Sequence, residues 1–184
     1  MVAGSDEILV ASHDPAWREM FAGLAAQLRR ELGSVALRID HIGSTAVPGL
    51  DAKPIIDVQI SVASLEPVES FRGPLERCGF IWRADNPERT KRYFRERPGA
   101  RRTHIHVRRR GSFSEQFNLL FRDYLRNHAE WAREYAAEKH RLAYLLESDR
   151  QAYVDAKARF VWETIRRADA WAQVTGWEPG PSDA

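Results

Sequence analysis

The chain has 184 residues, 28 Lys+Arg against 26 Asp+Glu, 43% hydrophobic residues and a single cysteine. That length suits one domain with a sizeable core, and an aromatic content that includes six Trp excludes a disordered chain. Cys78 on its own excludes an intramolecular disulfide framework and a cysteine-ligated zinc site.

Asp14 to Leu32 reads as a helix. Asp14 can cap it, Pro15 fits the first helical position and Gly33 stands where it should stop. Trp17, Phe21, Leu24, Leu28 and Leu32 recur at helical spacing. A strand is predicted over Val35 to Ile42, with Val35, Leu37, Ile39 and His41 on one face. Beyond the turn-rich Gly43 to Leu50, a second strand runs from Ile55 to Val62. Ile56, Val58, Ile60 and Val62 share one of its faces; Ile55, Asp57, Gln59 and Ser61 share the other.

A helix over Leu65 to Cys78 leads to a strand at Phe80 to Trp82 and two more, Arg92 to Arg95 and Thr103 to Arg109. The last sets Thr103, Ile105 and Val107 against His104, His106 and Arg108. From Ser112 to about Trp171 the pattern is helical. Capping-box spacing places starts at Ser112-x-x-Glu115 and Ser148-x-x-Gln151, and Asn127-His128 is the expected break. The tail 176–184, with Pro179, Gly180 and Pro181, reads as disordered. The expected architecture is α+β, one domain over residues 1–175 with a mixed or antiparallel sheet and C-terminal helices from about residue 112.

Charge is unevenly spread. Arg83 to Arg110 holds eleven Lys/Arg against three Asp/Glu, a block suited to phosphates on a nucleotide or a nucleic acid. Tyr93 and Phe94 interleave with Arg89, Lys91, Arg92 and Arg95, which makes RNA binding a third-ranked expectation. No apolar run is long enough to span a membrane, and MVAGSDEILV lacks a signal-peptide pattern, so a cytoplasmic protein without a membrane partner is expected.

The chemistry concentrates between His41 and Gln59. Gly43 lets the backbone approach a phosphate, and Ser44 and Thr45 offer hydroxyl donors. Asp57, flanked by apolar residues on its strand, is costly there unless it is used, and it suits a divalent cation. His104 and His106 share a face and suit either a metal or a phosphate, or simply a polar outer surface. Lys53, Arg92, Lys139 and Lys157 are the further candidates for phosphate contact. His41 reads as a satisfied core histidine, and Arg122 with Asp123 as a structural ion pair.

The string HIGSTAVPGLDAKPIIDV at 41–58 resembles the GrpB family (UPF0157), as do His104-Ile-His106 and Phe121-Arg-Asp-Tyr-Leu-Arg126. That resemblance implies a nucleotidyltransferase-like fold, a mixed sheet flanked by helices, with Gly43-Ser44 facing a metal site. It also implies transfer of a nucleotidyl group from an NTP to a small acceptor, with Asp57 and Ser44 as catalytic residues. Relatives with that fold hold two Mg²⁺ ions on an Asp-x-Asp or Asp-x-Glu pair. Here the second position is Gln59, and His104 and His106 take the place of a third carboxylate. A single aspartate is short of the negative charge that two ions need. Two expectations follow. A Mg²⁺ would arrive with the nucleotide and touch only Asp57, whereas Mn²⁺ or Zn²⁺ would use Asp57, His104 and His106. A protein that binds a nucleotide or phosphorylated ligand without turnover is the alternative function.

Overall fold

The structure, a computed structural model, describes residues 10–184; the stretch read for a signal peptide lies outside them except for Val10. Helix α1 (Ala16–Leu32) starts behind Asp14, whose carboxylate accepts the Ala16 N–H at 2.9 Å, and it stops at Gly33 with φ 52°. Its stripe is buried as Trp17, Phe21, Ala25, Leu28 and Leu32. Strand β1 (Arg38–Ile42) is shorter than expected, because residues 33–35 wind into a 3₁₀ turn. Leu37 is consequently 40% exposed instead of joining Ile39 in the core.

The chain continues through β2 (Ile56–Val62), α2 (Glu69–Arg77), β3 (Phe80–Trp82), β4 (Lys91–Glu96) and β5 (Thr103–Arg109). These strands form one sheet in the order β1-β2-β5-β4-β3. β2 and β5 run parallel at its centre and the other pairs are antiparallel, so the sheet is mixed. One face carries Ile39, Ile56, Val58, Ile60, Val62, Phe94, Ile105 and Val107 and packs on α1 and α2. Each large apolar side chain buried there contributes about 1.5–3 kcal/mol.

Helices α3 (Phe113–Asn127), α4 (Ala129–Arg141), α5 (Leu145–Ser148) and α6 (Arg150–Thr175) make the C-terminal layer. Ser112 caps α3 by accepting the Glu115 N–H at 3.3 Å. The Glu115 carboxylate does not close the box on Ser112. It accepts the Gly111 N–H at 2.6 Å and the Ser61 hydroxyl, which pins the start of α3 to β2. The start expected at Ser148 falls one residue later, with Asp149 accepting the Ala152 N–H at 2.9 Å. α3, α4 and α6 share a second core around Leu125, Tyr135 and Ala168.

The tail departs from the expected disorder. Among the described residues no strand lies beside the outer edge of β1, and side chains of the tail satisfy it instead. Ser182 Oγ accepts the Ile39 N–H and donates to the Ile39 carbonyl, both at 2.9 Å. Asp183 accepts the His41 N–H at 2.9 Å and pairs with Arg122 at 2.8 Å. No helix among the described residues is long and apolar enough to cross a membrane.

Candidate cation and phosphate site

The parallel pairing of β2 with β5 sets Asp57 opposite His104 and Gln59 opposite His106. Strand alternation therefore places the carboxylate and both imidazoles on the face away from α1 and α2. Asp57 Oδ1 lies 3.0 Å from His104 Nδ1 and 3.3 Å from His106 Nε2. One ligand atom from each of the three residues falls within 4.8 Å of the others. Burial alone would raise the Asp57 pKa. Hydrogen bonds from His104 and then His106 outweigh it and hold the carboxyl well below the usual carboxylate range. Burial pushes His106 down, against the opposing pull of Asp57, so its ring favours the neutral form that a metal requires.

Gly43 completes the wall. Its φ of 71° and ψ of −172° belong to a region essentially reserved for glycine, and a β-carbon there would lie 2.7 Å from Asp57 Oδ2. Ser44 follows it, half-buried, at the head of the 3₁₀ turn 44–46. Thr45 does not serve as a phosphate donor. Its buried hydroxyl donates to the Ile55 carbonyl at 3.0 Å, so the His41 Nε2 that approaches it at 3.0 Å must carry the proton. His41 is the core histidine expected, stacked on Phe21 at 4.7 Å. Burial, aided by Arg126, lowers its pKa to about 4.

The helical layer supplies Lys139 and Lys157, and the loop before β2 supplies Lys53. Lys53 lies over the Tyr153 ring at 4.5 Å, and Lys157 approaches the same ring at 5.8 Å. Lys139 is buried, donates to the Asp51 carbonyl and lies 4.7 Å from the centre of the Tyr135 ring. Burial and the nearby Lys157 lower Lys139 to about 7. Lys157 is raised, first by Tyr135, and Asp57 contributes in the same direction. Two like charges in one partly dehydrated space favour an anion between them.

Arg92 does not belong here. It shares its face of β4 with the core residue Phe94 and pairs with Glu66 on the far side of the sheet. The residues facing the site are Lys91, Tyr93 and Arg95, opposite Arg108, His106 and His104. The Tyr93 ring packs 5.7 Å from His104 and 5.3 Å from His106 and holds both imidazoles in place. Alternation from Phe94 was the available signal for this trio. Phe94 is fully buried, so the Tyr93–Phe94 pair offers no stacking platform for RNA.

Gln59 sits in the position of a second carboxylate but takes no part in the site. It is fully buried, donates to the Glu115 carbonyl at 3.2 Å and accepts from Asn118 at 3.2 Å. The residues present therefore fit one cation with a mixed oxygen and nitrogen ligand set, and they do not fit a pair of Mg²⁺ ions. Arg122 forms the structural network expected of it, pairing with Asp123 at 2.7 Å, Asp183 at 2.8 Å and Asp40 at 3.5 Å.

Comparison with known proteins gives the family and the fold. The family model described as GrpB protein matches residues 7–167. A UPF0157 protein of Pseudomonas aeruginosa is 41% identical over 90% of this chain and 69% of its own length. A dephospho-CoA kinase of Mycobacterium leprae is 32% identical over 91% of this chain, which spans only 48% of that protein. The crystal structure of GrpB from Enterococcus faecalis superposes with a TM-score of 0.79 at 32% identity, covering 89% of this chain and 99% of the other. A cytoplasmic RNA terminal U-transferase shares the fold alone, with a TM-score of 0.50 at 18% identity over 73% of this chain and 42% of its own. The chain belongs to the GrpB family and has a nucleotidyltransferase-like fold.

Proposed function

We propose that this protein binds a nucleotide through its phosphates and transfers a nucleotidyl group to a small hydroxyl acceptor. One divalent cation would be held by Asp57, His104 and His106. The convergence of His104 and His106 on Asp57 Oδ1 carries the reading. When bound, such a cation neutralises phosphate charge and polarises the bond that breaks.

The chain's own residues supply the rest. Gly43, lacking a side chain, lets the Asp57 carboxylate sit against the turn, and the Ser44 hydroxyl beside it donates to the oxygens of a phosphate. Lys139 and Lys157 neutralise the outer phosphates, with Lys53 beside them over Tyr153. Tyr93 keeps the imidazoles aimed at Asp57.

Binding without turnover is the second reading. The fully buried Gln59, in place of a second acidic ligand, favours it. The test is a nucleotide panel with Mn²⁺ or Mg²⁺, followed by detection of released pyrophosphate. Dephospho-CoA belongs in the panel, because the kinases named for it share this domain. Pyrophosphate release that disappears in Asp57→Asn supports transfer. Tight binding with no release selects the second reading, and no nucleotide binding at all sinks both.

A further inference from the structure

Three buried side-chain nitrogens on one face of β5, at alternate residues, have no protein partner among the described residues: His104 Nε2, His106 Nδ1 and Arg108 Nε. Buried donors and acceptors are rarely left unmet, so such a row marks a place where something polar binds. His106 and Arg108 face Tyr93 and Lys91 across the β4 pairing. Glu88, from the loop before β4, closes the end of this strip. It accepts from Arg108 Nη1 at 2.9 Å and pairs with Lys91 at 2.8 Å. Two cations thus meet one carboxylate, which leaves one positive charge over. The Arg108 guanidinium is spent on Glu88 through Nη1, with a 3.4 Å approach to Thr90, while its Nε–H remains unused.

We infer that this strip is a second oxyanion subsite, distinct from the nucleotide-phosphate site, and that it holds the carboxylate or phosphate of the acceptor. The inference rests on the proposed cation reading in one respect. When the Nε2 lone pair of His106 faces a cation, Nδ1 carries the ring hydrogen. His106 Nδ1–H and Arg108 Nε–H are then two buried donors two residues apart on one face, a set that an oxyanion satisfies. Lys91 adds charge over the Tyr93 ring at 5.0 Å, and that ring packs against His106 on the side of β5 away from Asp57. The acceptor is accordingly a small acidic molecule whose hydroxyl is presented toward the Asp57 site.

The experiment uses the Mn²⁺-loaded full chain as wild type, Arg108→Lys, Arg108→Met and the exposed-residue control Arg109→Ala. Each is titrated calorimetrically with inorganic phosphate and, separately, with acetate at constant ionic strength. Arg108→Lys keeps a positive charge to pair with Glu88 but has no Nε–H and no planar fork, so it reports on the subsite even where the Met variant is destabilised. The wild type should bind one or both probes. Both Arg108 variants should weaken that binding by about tenfold or more, the loss of one charge-assisted hydrogen bond, with Mn²⁺ affinity unchanged. Lys139→Met should leave this Arg108-dependent binding intact, which separates the subsite from the nucleotide-phosphate site. The arm that binds identifies the acceptor's acidic group. Wild-type affinity for both probes in Arg108→Lys, or no binding of either probe to the wild type, overturns the inference. Failure of Mn²⁺ to bind the wild type instead contradicts the cation reading beneath it.

Discussion

Gly43 and Asp57 are packed so closely that a β-carbon at position 43 would lie 2.7 Å from Asp57 Oδ2. Gly43→Ala must therefore either move the carboxylate or shift the turn, and it also places a side chain at φ 71°. A loss of about 1–3 kcal/mol is expected from the backbone alone. Denaturant unfolding measures it. Wild-type stability with wild-type Mn²⁺ affinity would show that the contact constrains nothing.

His41 makes the fold sensitive to acid. Its pKa is about 4 in the folded chain against an ordinary 6.5, so the unfolded chain binds more protons between these values. Its contribution is fully present above pH 6.5 and is lost as pH falls toward 4. The size is on the order of 3 kcal/mol. His41→Gln should flatten the stability profile through that window relative to wild type, although His106 contributes in the same direction. Parallel profiles would mean the imidazole is not buried as a neutral group.

Lys139 bears on both the fold and the ligand. Its pKa of about 7 keeps it partly neutral near physiological pH, under the influence of burial and Lys157. Because the unfolded lysine holds its proton to higher pH, stability should rise between pH 7 and about 10.5, and Lys139→Met should abolish that rise. A phosphate ligand restores the charge, so nucleotide binding should take up a proton near pH 7–8. It should weaken at least about tenfold in Lys139→Met. Calorimetry in two buffers of different ionisation enthalpy detects the uptake, and no buffer dependence would remove Lys139 from the phosphate site.

Gln59→Glu tests whether a second acidic ligand can simply be put back. The side chain is fully buried, and its amide donates to the Glu115 carbonyl. A carboxylate there would face that carbonyl without a donor. The expected result is destabilisation by about 1–3 kcal/mol or more and no second Mg²⁺. A stable variant that binds two Mg²⁺ would show the position to be a latent metal ligand.

Much of this site was legible in the alternation of two strands. Asp57 and Gln59 on one, His104 and His106 on the other, each opposed an apolar face that needed burial. Once β2 and β5 paired, the polar faces had to coincide. Alternation also held the answer for β4, where Arg92 and Arg95 differ by an odd number and so point to opposite faces. Reading the basic block as one patch hid that. Thr45 was misplaced because a hydroxyl's partner depends on the fold of a 3₁₀ turn that no periodicity reports. The tail was illegible for a related reason. Its composition suits disorder, and it is ordered by an edge strand and an arginine more than fifty residues away in the chain.

Manganese binding tests the central claim most directly. Titrating Mn²⁺ into the metal-free protein at pH 7.5, read by electron paramagnetic resonance, should give one tight site per chain. That site should be lost in Asp57→Asn and weakened in the His104→Ala, His106→Ala double variant, and its affinity should fall as pH drops below about 6.5. Equal affinity in the wild type and the double histidine variant would contradict the account and leave Asp57 as a carboxylate that meets a cation only when a nucleotide brings one.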